Sequence, residues 1–220
     1  MARHGKGVLT MLYQAIRPSS FEEMIGNEAV VTALKKIIEC PAELRPHAFL
    51  FAGSSGCGKT TLARIVAKAL GCSDMDLREL NAANTNGIQT VRDVVASASL
   101  APMEGPCKVI IFDESHELTG KAQEALLKSI EDTYLHVHYI FCTTDPDQLI
   151  KTIQNRCTRF DVMALRYPQM AELIMTASEV ADVPVSDNVL QKLIECAEGC
   201  PREAIVNLEK LRGLSEEALS

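Results

Sequence analysis

The segment Gly53-Ser54-Ser55-Gly56-Cys57-Gly58-Lys59-Thr60 fits the pattern G-x-x-x-x-G-K-[ST] at every fixed position. It follows the apolar run Ala48-Phe49-Leu50-Phe51-Ala52 and precedes a helical pattern from Thr61 to Leu70. Few folds satisfy that order. The chain must leave a buried strand, turn tightly enough for several backbone N–H groups to converge on one anion, and enter a helix whose positive end faces the same point. The glycines permit the turn. Lys59 then reaches terminal phosphates, and Thr60 ligates Mg²⁺ through its hydroxyl. A glycine-rich turn that merely ended in Lys-Thr would need neither flanking element. The pattern predicts a nucleoside-triphosphate site built from Ser54, Ser55, Gly56, Cys57, Gly58, Lys59, Thr60 and Thr61.

The surrounding pattern agrees with such a loop. Strand-like runs at 48–53, 77–81, 108–113, 137–143 and 158–162 alternate with helical patterns near 27–39, 60–70, 87–99, 119–131 and 146–154. That order predicts an α/β fold with a parallel sheet and helices on both faces. From Pro168 onward only helical stretches remain, near 168–181, 186–197 and 201–212. Ser186 suits an N-cap, Pro201 a first helical position and Gly213 a C-terminal stop. The expected organisation is a flexible basic tail over 1–10, a nucleotide-binding α/β domain over 11–162 and a small helical domain over 163–220.

Composition narrows the partners. Hydrophobic residues make up 47% and charged ones 23%, enough for an ordinary core. Apolar runs such as Val109 to Phe112 are far too short to cross a bilayer, and no apolar stretch follows Arg3, His4 and Lys6 as a secretory signal would require. No membrane partner is expected. A net charge of −7 argues against a broadly basic nucleic-acid surface and leaves a local one open. The eight cysteines form no C-x-x-C, and only Cys196 and Cys200 lie one helical turn apart. They read as reduced, buried thiols of a cytoplasmic protein rather than as zinc ligands.

A second element is Val109-Ile110-Ile111-Phe112-Asp113-Glu114, an apolar strand that delivers two carboxylates at its end. Beside a phosphate loop, the first acid is expected to hold Mg²⁺ and the second to orient and polarise an attacking water. A third, Phe141-Cys142-Thr143-Thr144-Asp145, ends a strand in hydroxyls. These fit a γ-phosphate contact and a helix cap equally well on pattern alone. Arg156 follows a helix and precedes the last strand. Arg202 sits in the first turn of a helix, where the dipole disfavours a cation, a mild sign of an anionic partner. Taken singly, either arginine is more often a surface or salt-bridge residue.

The run Ile16-Arg17-Pro18-Ser19-Ser20-Phe21-Glu22-Glu23-Met24-Ile25-Gly26 resembles the R-P-x-x-F-x-x-x-x-G box of clamp-loader AAA+ ATPases. With Asp113-Glu114-Ser115-His116, Ala125-Leu126-Leu127-Lys128-Ser129-Ile130-Glu131, Thr143-Thr144-Asp145-Pro146 and Arg156-Cys157, the chain is similar to gamma/tau subunits of the bacterial DNA polymerase III clamp loader. It is also similar to replication factor C small subunits. The similarity runs in one register from about residue 9 to 213. It implies a RecA-like P-loop AAA+ domain followed by a helical lid, with ATP and Mg²⁺ as cofactors. It implies that Arg17, Pro18, Ile25 and Gly26 belong to the nucleotide site, Ile25 and Gly26 lining the adenine pocket. Thr144 would be the first sensor, Arg156 a finger reaching a neighbouring subunit's ATP, and Arg202 a second sensor on the chain's own γ-phosphate. Partners implied are other AAA+ subunits in a pentamer-like oligomer, a sliding clamp and primer-template DNA.

Departures accompany the likeness. Gly71-Cys72-Ser73-Asp74 runs straight toward the next strand where gamma/tau subunits carry a four-cysteine zinc module. With the last residue at Ser220, the helical collar that joins such subunits is not expected, which implies a fragment or assembly through another surface. Positions where relatives place arginine toward duplex DNA hold Asn86, Pro106 and Gly120, leaving Lys121 as the basic candidate; helix starts near Gly87 and Thr119 could still bind phosphate through backbone N–H groups. Ile16 stands where an aromatic is usual. The expectation is an ATP-hydrolysing clamp-loader subunit. The alternative is another oligomeric AAA+ replication or DNA-remodelling ATPase, such as a helicase loader or a DNA-coating regulator.

Overall fold

A computed structural model describes residues 11–84, 87–131 and 134–212. The expected tail at 1–10, together with Asn86 and Gly213, lies outside these described residues. Five strands form one wholly parallel sheet: β1 (Ala48–Ala52), β2 (Leu77–Asn81), β3 (Lys108–Asp113), β4 (Val137–Thr143) and β5 (Thr158–Asp161), in spatial order β2-β3-β4-β1-β5. The helices are α1 (Leu12–Ala15), α2 (Glu28–Glu39), α3 (Lys59–Ala69), α4 (Ile88–Ala98), α5 (Gly120–Glu131), α6 (Lys151–Gln154), α7 (Tyr167–Ala181), α8 (Asp187–Ala197) and α9 (Pro201–Lys210). The parallel α/β class read from the sequence is the fold observed.

The central strands β1 and β4 are buried without interruption because both sheet faces are covered. Side chains alternate between two cores, as the strand period of two requires. Phe49, Phe51, Val109, Ile111, Ile140 and Cys142 pack with Leu34 of α2 and Leu62 and Val66 of α3. Leu50, Ile110, Phe112, Tyr139 and Phe141 pack on the opposite face with Val91 and Val94 of α4 and Leu126 of α5. Phe112 and Phe141 stack at 5.4 Å between neighbouring strands.

One expected helix is broken. The pattern at 146–154 resolves into a short 3-10 turn, Pro146–Gln148, and the four-residue α6, separated by extended Leu149 and Ile150. Two glutamines satisfy the interrupted backbone. Gln123 Oε1 accepts from Ile150 N at 2.8 Å, while Gln154 Nε2 donates to the carbonyls of Pro146 (2.8 Å) and Leu149 (2.6 Å). The extended stretch lets Leu149 bury its side chain, 1% exposed, beside Ile153. Helical periodicity alone does not reveal a break whose backbone hydrogen bonds are taken up by side chains, one of them reaching in from α5.

The chain divides into two compact units. Ser19–Met163 forms the sheet unit, and the segment ending at Pro18 clusters with the segment that begins at Ala164. Residues 11–18, placed by sequence with the α/β domain, thus pack with the helical unit; Leu12 N donates to Glu209 at 3.0 Å. In the sheet unit, the stretch after β5 is closed by Asn27, in the left-handed region at φ 56°. Its side-chain amide exchanges two hydrogen bonds with the Met163 backbone, at 3.1 and 2.8 Å. No described helix is long and apolar enough to cross a membrane. None of the eight cysteines, all of them among the described residues, is in a disulfide; Cys57, Cys107 and Cys142 are buried, whereas Cys196 is exposed.

Candidate functional site

All five strands run the same way, so their carboxyl ends deliver successive loops to one side of the sheet. The phosphate loop leaves β1 there. Gly53 is required by close approach: a Cβ at that position would sit 2.2 Å from the Val162 carbonyl oxygen. Gly58 has φ 102° and starts α3, a backbone state that side chains rarely tolerate. Ser54 and Ser55 are exposed, Gly56 is half-buried, and Cys57 and Thr61 face inward. Burial pushes the Cys57 thiol up, against the opposing pull of the Lys59 charge, so it packs as an apolar group rather than a nucleophile.

Lys59 is only 5% exposed, and its ammonium donates to the carbonyls of Gly53 (2.9 Å) and Ser54 (2.8 Å). The cation is thereby held inside the curve of its own loop. Thr60 Oγ1 donates to Asp113 Oδ2 at 3.0 Å, joining the start of α3 to the end of β3. Among the described residues no group of three or more His, Cys, Asp or Glu stands together to hold a metal. The Thr60 hydroxyl and Asp113 carboxylate instead form a sparse set of hard oxygens. This donor set fits Mg²⁺, which keeps waters and completes its shell with substrate phosphates.

Glu114 follows at once, in the left-handed region at φ 48°. Its N–H donates to Asp113 Oδ1 at 3.2 Å, and it opens the short 3-10 turn Ser115–Glu117, in which Glu117 N donates back to the Glu114 carbonyl at 2.9 Å. Ser115 is fully buried and donates to the Cys142 carbonyl of β4 at 3.1 Å. His116 Nδ1 lies 3.1 Å from Thr143 Oγ1 and 3.7 Å from Glu114 Oε2. The sequence placed Ser115 and His116 in a motif without giving either a contact. Their burial comes from the turn, which no local pattern announces.

Of the two hydroxyls that end β4, Thr143 is fully buried and Thr144 is exposed just beyond the strand. Burial, reinforced by the Asp113 charge, holds the Cys142 thiol well above its usual range. Gly26 is buried at φ 76°, with half-buried Ile25 before it, at the entry to α2. Arg17 and Pro18 are half-buried and belong to the helical unit, as does the exposed Arg202 in the first turn of α9.

Arg156 stands elsewhere. It follows α6 at the amino end of β5, where its guanidinium pairs with Glu131 and donates to the Thr152 carbonyl at 2.9 Å. With His47, Ala48, Ile130 and Glu131 it lines an open depression of about 390 Å³ at the amino end of β1. The phosphate loop begins at the other end of that strand. Four residue steps separate the two, on the order of 13 Å of strand before the side chain's own direction is considered. Of the basic candidates, Lys121 is exposed at the start of α5, near exposed Thr119 and Gly120, while Gly87 is exposed before α4.

The family described as "ATPase family associated with various cellular activities (AAA)" matches residues 49–165. DNA polymerase III subunit gamma/tau of Mycobacterium tuberculosis (H37Rv) is 32% identical, with 91% of this chain and 38% of the relative covered. Subunit tau of Escherichia coli K12 is 34% identical, with 89% and 34% covered, and subunit tau of Bacillus subtilis 168 is 30% identical, with 94% and 40% covered. The chain spans 34–40% of the length of these curated relatives. Among solved structures, the RuvB Holliday junction branch migration motor of Thermotoga maritima superposes with a TM-score of 0.76 at 24% identity, over 92% of this chain and 67% of that one. At that identity the likeness is one of fold.

Proposed function

The chain belongs to the AAA family of ATPases, and from that premise we propose that it binds and hydrolyses Mg·ATP as a subunit of a DNA replication clamp loader. Lys59 neutralises the terminal phosphates, while the backbone N–H groups of Ser54 to Thr61 cradle them. Thr60 and Asp113 hold Mg²⁺, which would neutralise charge on the β- and γ-phosphate oxygens. Glu114 orients and polarises the attacking water. Thr144 reads the γ-phosphate from the end of β4, Arg202 reads it from the lid, and Ile25 and Gly26, with Arg17 and Pro18, flank the base.

One observation carries the assembly. Arg156 lies at the amino ends of the strands and the phosphate loop at their carboxyl ends, which supports reading this arginine as serving another subunit's nucleotide rather than its own. It is exposed and offered outward, as a finger for a neighbouring subunit's ATP requires. The nucleotide site is then half of a shared one, and ATP binding ties subunits together in an oligomer. The choice of clamp loading rests on similarity to DNA polymerase III gamma/tau subunits across about nine-tenths of the chain. Hence the proposed partners are other AAA+ subunits, a sliding clamp and primer-template DNA, in the cytoplasm.

The test measures ATP turnover by the chain with its co-purified subunits, with and without sliding clamp and primed DNA. Clamp and primed DNA together are expected to raise turnover, and Arg156→Ala to abolish the increase while nucleotide binding persists. A strict monomer under every condition, or full assembled turnover in Arg156→Ala, overturns the shared-site reading. Failure to bind a clamp with ATP present favours a different AAA+ remodelling ATPase.

A further inference from the structure

His116 takes no part in the machinery described so far, yet it is the side chain that connects two of its components. Its ring is 14% exposed, with Nδ1 facing Thr143 Oγ1 at 3.1 Å and Glu114 Oε2 at 3.7 Å, and Nε2 facing Glu117 Oε1 at 3.5 Å. Thr143 is fully buried, and its hydroxyl oxygen also accepts Asp145 N–H at 3.0 Å. That oxygen is fixed by the chain on both sides of Thr144. The imidazole is therefore seated against the last residue of β4 while facing the carboxylate that follows β3.

The backbone repeats the linkage one residue earlier. Ser115 Oγ donates to the Cys142 carbonyl, tying the turn that carries Glu114 to β4. Consecutive residues, Ser115 and His116, thus engage consecutive residues, Cys142 and Thr143. Glu114 sits in a left-handed conformation that a non-glycine residue keeps only when its surroundings hold it there. Ser115 holds the backbone of that turn. The glutamate side chain, 35% exposed, has the imidazole on one side to limit its rotamers.

We propose that His116 is a positioning residue that holds the Glu114 carboxylate in register with the end of β4. The proposal rests on the reading that Glu114 activates the attacking water. It adds that the γ-phosphate contact at Thr144 and the carboxylate move as one unit, because Thr143 joins them through the imidazole. A glutamate free to rotate would bind the same nucleotide and hydrolyse it more slowly, since misplacement of an activating group is felt in the chemical step.

The experiment compares wild type, His116→Ala, His116→Asn and Thr143→Val, with Glu114→Gln as control, by steady-state ATP hydrolysis in the ATP-bound assembly, nucleotide affinity and Tm. His116→Ala is expected to lower kcat tenfold or more, with KM for ATP and Tm unchanged. His116→Asn, which keeps a polar group where Nδ1 stands, is expected to recover kcat to within threefold of wild type. Thr143→Val, which removes the anchor and leaves the ring, is expected to reproduce most of the His116→Ala loss. Wild-type kcat in His116→Ala overturns the proposal, as does equal loss in the alanine and asparagine variants accompanied by a lowered Tm. A wild-type rate in Thr143→Val overturns the link to β4. Normal turnover in Glu114→Gln is a separate failure, that of the reading beneath.

Discussion

The two ends of the strands treat charge differently. At the carboxyl ends the polar groups are wired to one another: Lys59 to two loop carbonyls, Thr60 to Asp113, and the Glu114 turn to β4 through Ser115 and His116. At the amino ends they are either sealed or open. His138 is 3% exposed and Asp76 5%, whereas Arg156 and Glu131 pair at the surface. A parallel sheet makes this contrast possible. Loops that leave the carboxyl ends converge on one point and can preorganise a reaction, and the amino ends remain free to meet another molecule. The wired end is expected to govern the chemical step and the open end its dependence on a neighbour.

The sharpest break of that contrast is Glu114→Gln. The amide keeps the shape of the turn but cannot polarise water, so nucleotide affinity should persist while kcat falls by roughly 10²- to 10⁴-fold, the usual worth of a positioned proton acceptor. Single-turnover hydrolysis beside equilibrium nucleotide binding checks it, and a kcat within threefold of wild type removes Glu114 from the chemistry. Lys59→Ala should differ in kind, abolishing binding itself. The pair separates the charge that holds the substrate from the charge that acts on it.

The sealed groups of the amino ends predict acid behaviour. Burial pushes the His138 imidazole down to about 4, with its Nδ1 3.1 Å from the Pro46 carbonyl and the His47 ring stacked at 5.3 Å. The unfolded chain takes up this proton near pH 6.5, and the native chain does so only near 4. Stability should therefore fall as pH drops from about 6.5 toward 4, by up to ~3 kcal/mol. His138→Phe keeps the stack without the titration and should flatten Tm across that window; an unchanged slope refutes the assignment. Asp76 acts in the opposite sense and lower down. Backbone N–H groups of Gly105, Met103 and Glu104 hold its carboxyl well below the usual range. Its contribution persists above about pH 3.9 and is lost as pH falls further, so the slope below pH 4 should survive in His138→Phe.

Where the sequence was legible, the physics was local. The glycine loop, the strand ending in Asp113 and Glu114, and the alternation behind the parallel sheet each follow from neighbours in the chain, and strand bounds such as 77–81 and 137–143 recur unchanged in the structure. What could not be read depends on residues that meet from far apart. Gln123 accepts from Ile150 where the helix expected at 146–154 is interrupted, and Asn27 closes on Met163 across 136 positions. Residues 11–18 join a helical unit whose other members begin at Ala164. His116 belongs to this class. It stood inside a recognised motif, but its contact with Thr143 arises only once β3 and β4 lie side by side.

The smallest effect offers the cleanest comparison of the two ends. Arg64 on α3 forks onto Glu79 of β2 at 2.7 and 2.8 Å, and Arg156 pairs with Glu131; the side chains are 43% and 29% exposed in the first pair, 37% and 47% in the second. As surface ion pairs each is worth at most ~1 kcal/mol of stability. Arg64→Gln and Arg156→Gln should therefore shift Tm by similarly small amounts. On the proposed shared-site reading their effects on assembled ATP turnover should separate, because that reading assigns the neighbour's nucleotide to Arg156 and gives Arg64 only its pair with Glu79. Arg64→Gln is expected to keep turnover within twofold of wild type and Arg156→Gln to lose more than tenfold. If the two variants match in turnover as they match in Tm, the amino ends carry an ordinary salt bridge, and the division of labour between the two ends of the sheet fails.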